Sequence, residues 1–338
     1  CRADAAAHVA PSRRLTALGV RGGAVDRSHF TFRTYTTLGR VLGALPEPVA
    51  GAAGRLVGGA LYRVRRDHRA QVAANLARVL GGDVDPALLD RWARRAFDEY
   101  ARYWVEGARL PAMPATEVLQ HILVVDGFEH LAEGMARGGG VVVALPHTGS
   151  WEYGGAFLAA IGFPMTAVAE RLEPPELFDY FVAQRASMGL TVVPLGEGSG
   201  RAVLRTLRDG GLVGLLCDRD LTPGGVPVDF FGEPTTMPGG PATLALRTGA
   251  TLLCAAVYRG PGRDHHAIIS GPVDTTRTGD LRGDVARVTQ SIADGLASLI
   301  RRHPEQWHVF QPLWLADRPV ASAGHGGEGQ AEDRQGAA

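Results

Sequence analysis

From Gly140 onward the sequence alternates continuous apolar runs with helix-length segments, and this rhythm constrains the fold more than any other feature. VVVALP over 141–146, MTAVAE over 165–170, TVVPL over 191–195 and LVGLLCD over 212–218 read as buried strands. Between them WEYGGAFLAAIG, PPELFDYFVAQRASMG and SGRAVLRTLRDGG read as helices. Downstream come a short strand around VPVDFF, a helix after MPGGP, strands in TLLCAAVYRG and HHAIISGPV, and a long helix from about Gly283 to His303. Strands that are apolar along their whole length must be covered on both faces, which crossover helices do. The expectation is an α/β fold with a mostly parallel central sheet flanked by helices, binding its ligands at the carboxyl ends of the strands.

Composition then removes several kinds of chemistry. The 338 residues carry 35 basic and 35 acidic side chains, and every basic one is an arginine. With no lysine, a Schiff base, a pyridoxal enzyme and a Walker-type phosphate lysine are excluded. Zero net charge argues against a nucleic-acid partner. Cys1, Cys217 and Cys254 are too scattered for a disulfide framework or a zinc site, so no metal is expected. No uninterrupted apolar run is long enough for a transmembrane helix.

The chain divides by texture. Residues 1–30 read as a flexible arm and 319–338 as a disordered tail, with an N-terminal helical region over 31–110 and an α/β core over 111–318. Within 35–69, Pro46-Glu47-Pro48 separates two short helices that carry Arg40, Arg55, Arg63, Arg65, Arg66 and Arg69. Apolar helix faces bearing arginines fit an anionic membrane surface, and they equally fit an ordinary amphipathic helix with a solvated face. Trp92, Phe97, Tyr100 and Trp104 recur at helical spacing, as core aromatics do.

The most informative stretch is Leu145-Pro146-His147-Thr148-Gly149-Ser150-Trp151-Glu152. His147 follows a buried strand, and Thr148 or Ser150 can cap the helix that begins there. Residues five apart in an unbroken helix diverge by about 140°. His147 lies before the helix, however, so its ring can fold back to meet Glu152. A carboxylate on one ring nitrogen fixes the tautomer and stabilises the imidazolium. His147 with Glu152 therefore reads as a general base toward a hydroxyl, the alternative being a helix-capping histidine. There is no G-x-S-x-G elbow, and Cys217 and Cys254 lie inside apolar runs, so direct transfer fits better than an acyl-enzyme. His265 and His266 lack metal spacing and read as structural.

Residues from about 35 to 317 resemble the bacterial lipid A biosynthesis acyltransferases, whose hallmark is a His followed after four residues by an acidic one. His147-TGSW-Glu152 has Glu where many members have Asp. Ala169-Glu170-Arg171, Arg185, Asp218-Arg219-Asp220, Asp229-Phe230-Phe231-Gly232, Pro241-Ala242-x-Leu244-Ala245 and Thr248-Gly249-Ala250 follow in family order. ARVLG over 77–81, YARYWVE over 100–106, AERL over 169–172 and DRDLT over 218–222 are most similar to the actinobacterial branch acting on phosphatidylinositol mannosides. The resemblance implies a peripheral enzyme on the cytoplasmic face of the plasma membrane. It would move an acyl chain from acyl-CoA, a co-substrate, to a mannose hydroxyl of a mannosylated phosphatidylinositol, without a cofactor. It also implies substrate contacts for Glu170, Arg185, Asp218, Arg219, Asp220 and Asp229. Taken alone, Glu170 could form an ion pair with Arg171 and Arg185 could be a solvated helix arginine. Asp218 could assist the histidine or bind hydroxyls. Phe230 and Phe231 read as an acyl-groove wall or as core, and the amides of Met237–Pro241 as an anion site or a plain helix start.

Overall fold

A computed structural model describes residues 39–220 and 224–317, together with 33, 36 and 37. The arm and tail expected at the two ends, and Leu221 and Thr222 of the DRDLT run, lie outside the described residues. Residues 39–44 are helical, and after Pro46 come three longer helices, α1 (Glu47–Val64), α2 (Arg66–Val79) and α3 (Pro86–Arg109), followed by the short α4 (Ala115–Gln120). Then come β1 (Ile122–Asp126), α5 (Phe128–Ala136), β2 (Val141–Leu145), α6 (Trp151–Ala160), β3 (Met165–Ala169), α7 (Pro175–Ser187), β4 (Thr191–Pro194), α8 (Ser199–Arg208) and β5 (Leu212–Leu216). The chain continues through β6 (Val226–Phe230), β7 (Glu233–Met237), α9 (Gly240–Thr248), β8 (Thr251–Arg259), β9 (His265–Ile269) and α10 (Leu281–Arg302).

Seven strands form one sheet in the order β1-β9-β8-β2-β5-β3-β4. The run from β8 to β4 is parallel, while β9 turns back antiparallel to β8 and β1 pairs parallel with β9. The expected mostly parallel α/β sheet is thus the observed one. β2 is buried along its whole length because side chains alternate across both covered faces. Val142, Ala144, Val213 and Cys254 join the core under α9 and α10, whereas Val141, Val143, Leu145 and Leu253 pack with Leu131 and Trp151 on the other side.

Two strands escape the sequence pattern. β1 is an edge strand with Leu123 64% exposed, and β7 (EPTTM) exists through its antiparallel pairing with β6. The N-terminal helices pack as their small residues dictate. Ala50, Gly54 and Gly58 line the inner face of α1, and a Cβ at Gly58 would stand 2.8 Å from the Phe97 carbonyl oxygen of α3. Pro86 opens α3 and the Asp85 carboxylate accepts from the Leu88 amide at 2.9 Å, an N-cap of the kind acidic side chains favour.

Candidate active site

Strand register builds the centre of the site. β2 and β5 are parallel neighbours with Leu145 opposite Leu216, and the Cys217 amide donates to the Leu145 carbonyl at 3.0 Å. The chain leaves both strands at the same level, and the second residue after each, His147 and Asp218, comes to lie side by side. His147 Nδ1 is 2.5 Å from Asp218 Oδ1, and the His147 amide donates to Oδ2 at 2.9 Å. The Trp307 indole donates to the same Oδ2 at 2.8 Å. Burial pushes the Asp218 carboxyl up, but the neighbouring imidazole and these three donors outweigh it and hold it below its ordinary value.

The carboxylate that meets His147 is therefore Asp218, and not Glu152 as the spacing along the chain suggests. Glu152 lies in the first turn of α6, but its Oε1 accepts from the Tyr103 hydroxyl at 3.0 Å and from Arg185 Nη2 at 3.0 Å. A buried carboxylate takes the charged partner that neutralises it, and the nearby guanidinium does so better than the imidazole. Ser150 stands at the N-cap, yet its hydroxyl donates to Glu106 and caps no helix amide. Glu106 is in turn paired with Arg259 at 2.7 Å. Although burial works against the charge, Arg259 and His265 bring Glu106 down to about 2.

The loop carrying His147 is sewn down by the segment after α10. The Gly149 amide donates to Gln306 O at 2.9 Å, and the His308 amide to His147 O at 2.7 Å. Gly149 takes φ +60° here. His308 Nε2 lies 3.2 Å from Gly149 O. A carbonyl only accepts, so Nε2 carries the hydrogen and Nδ1 is bare. Burial, with Arg259 and His147 nearby, pushes this histidine down to about 3.

A cavity of about 490 Å³ opens beside His147. Its walls are mostly apolar: Val168, Val203, Leu204, Leu215 and Leu244 run between the sheet, α8 and α9. Polar groups line it too, among them Tyr100 and Tyr103 from α3, Glu170, Arg185, Arg219 and His308. Glu170 forms no hydrogen bond or ion pair with any described residue, so the pairing with Arg171 is not made. Pro238, Gly240 and Pro241 bring the opening turn of α9 to the wall.

Two of the residues expected to meet substrate lie off this cavity. Asp229 is exposed on β6 and accepts from the Gly232 amide at 2.9 Å, closing the hairpin turn away from the cavity. Asp220 lies against Gly225 and does not line the cavity. Phe230 is core, its ring 6.2 Å from those of Trp307 and Trp314. Sequence reasoning missed the clamp from Trp307 and His308, as well as Tyr103. Only strand order and the return path of the C-terminal segment reveal these partners.

A conserved-family model described as bacterial lipid A biosynthesis acyltransferase matches residues 27–316. A phosphatidylinositol mannoside acyltransferase of Mycobacterium tuberculosis is 42% identical over 264 residues, covering 77% of this chain and 81% of the relative. One of Mycolicibacterium smegmatis is 40% identical over 285 residues, covering 82% and 89%.

Proposed function

Since the chain belongs to the bacterial lipid A biosynthesis acyltransferase family and is an acyltransferase, we propose that it moves a long acyl chain from acyl-CoA to a mannose hydroxyl of a mannosylated phosphatidylinositol. The observation that carries this reading is the His147–Asp218 pair at the mouth of a largely apolar cavity. Asp218 holds Nδ1, which leaves Nε2 to take the proton of the sugar hydroxyl as its oxygen attacks the thioester carbonyl. The apolar walls take the acyl chain, and its burial supplies binding energy remote from the reacting carbonyl. Glu170, without a partner among the described residues, accepts from a second hydroxyl of the acceptor in this reading.

The helical region supports a peripheral position on an anionic membrane. No helix among the described residues is long and apolar enough to cross a bilayer. Yet α1 turns Val49, Leu56, Val57 and Val64 outward on one face, Leu56 76% and Val64 75% exposed, with Arg55, Arg63, Arg65 and Arg66 exposed beside them. That combination suits the interface of acyl chains and anionic headgroups. With acyl-CoA as the proposed donor, this surface would meet the cytoplasmic face.

The test is an assay of purified protein with palmitoyl-CoA or palmitoyl-acyl-carrier-protein, each against phosphatidylinositol mannoside and lipid A precursors. The expected result is acylated mannoside with release of CoA. Transfer only from the carrier protein, or only to the lipid A precursor, would overturn the assignment.

A further inference from the structure

Two arginines are buried among the described residues, each only 7% exposed, and both line the cavity. Arg185 is neutralised: Glu152 lies 3.0 Å away, and the rings of Trp151 and Phe181 stand 5.1 and 5.5 Å from its guanidinium carbon. Arg219 is not. Its single hydrogen bond to a described residue is from Nη1 to the neutral amide oxygen of Gln311 at 3.3 Å, and its Nε is buried with no partner. The neighbouring Asp218 carboxylate is taken by His147 and Trp307. Among the described residues no carboxylate offsets the desolvation of this buried cation. Arg219 pays that cost at the catalytic end of the cavity, one residue from the carboxylate that orients His147.

We propose that Arg219 is a catalytic residue that receives the oxyanion formed on the thioester carbonyl. This rests on the acyl-thioester donor of the proposed function. As the acceptor oxygen bonds to the carbonyl carbon, its proton passes to His147 Nε2 and the C=O electron pair moves onto oxygen. That oxygen carries a full negative charge beside the guanidinium. When the C=O re-forms, the C–S bond breaks and the departing sulfur takes the proton back from His147. A cation left without a carboxylate among the described residues is strongest for charge that appears only during reaction. The turn at Pro238–Pro241 lines the same cavity, and of the two buried arginines there Arg219 alone has no carboxylate partner among the described residues.

The test uses two non-reacting analogues of palmitoyl-CoA that share every phosphate: a thioether lacking the carbonyl, and a trifluoromethyl ketone whose carbonyl adds water to give a tetrahedral hydrate. Their binding is measured by calorimetry to the wild type, Arg219→Gln and Arg219→Lys, with melting temperatures to confirm folding. The expected result is that Arg219→Gln loses about 10²–10³-fold in ketone affinity while its thioether affinity is unchanged. Arg219→Lys should recover part of the loss. Equal weakening of both analogues would overturn the proposal and assign Arg219 to a CoA phosphate. No weakening of either would make it structural. A wild type that binds neither analogue would instead refute the acyl-CoA donor, and this inference would fall with it.

Discussion

At the scale of single residues, His147 is legible in the sequence because a histidine directly after a buried strand has few reasons to be there. Its partner is not legible, because spacing along the chain favours Glu152, whereas adjacency across the sheet selects Asp218. The two carboxylates should therefore fail differently when altered. Glu152→Gln leaves Arg185 buried and unpaired, so it is expected to cost about 3–5 kcal/mol of stability, read by denaturant unfolding. The pH dependence of folding follows from two groups. The folded chain holds His308 down to about 3, so it refuses a proton that the unfolded chain takes up below about 6.5. Glu106, held at about 2, lends stability that is complete above about 4.5 and lost as pH falls toward 2. Melting temperature is expected to decline from about pH 6.5 downward and more steeply below about 4.5. His308→Gln should flatten the first part of that decline; an unaltered curve would contradict the account.

At the scale of elements, β2, β3, β5 and β8 were legible because both faces of the sheet are covered there, which leaves continuous apolar runs, while the edge strand β4 and the histidine-led β9 were legible from their branched aliphatic residues. β1 and β7 were not: an edge strand with an outward Leu123 and a hairpin strand with Pro234 lack that signature. In α1 both faces are apolar for different reasons. The Ala50–Gly54–Gly58 stripe seats α1 on α3, and the valine and leucine stripe has no protein partner among the described residues. Each such side chain is worth about 1.5–3 kcal/mol when fully taken from water. The double substitution Leu56→Asp with Val64→Asp is thus expected to leave the melting temperature unchanged while sharply reducing cosedimentation with vesicles rich in anionic lipid. Unchanged binding would remove α1 from the membrane contact.

At the scale of the whole molecule, the site is completed by parts far apart in sequence. α3 brings Tyr100 and Tyr103, the sheet edge brings His147 and Asp218, and the segment after α10 brings Trp307 and His308. The sequence rhythm predicted the sheet edge, but not that α3 and the segment after α10 would close over it, because neither carries a motif that names its docking place. The depth of the cavity sets which chain fits. Leu204→Trp, which fills its α8 wall, is expected to shift preference toward shorter acyl-CoA substrates, read as kcat/KM across a chain-length series. The central claim is that Asp218, not Glu152, makes His147 a base. It is tested most directly by the single-turnover rate of transfer from palmitoyl-CoA to phosphatidylinositol mannoside in folded Asp218→Asn. The account predicts a fall of about 10²–10⁴-fold, the range of a lost general base. A rate near that of the wild type would contradict it.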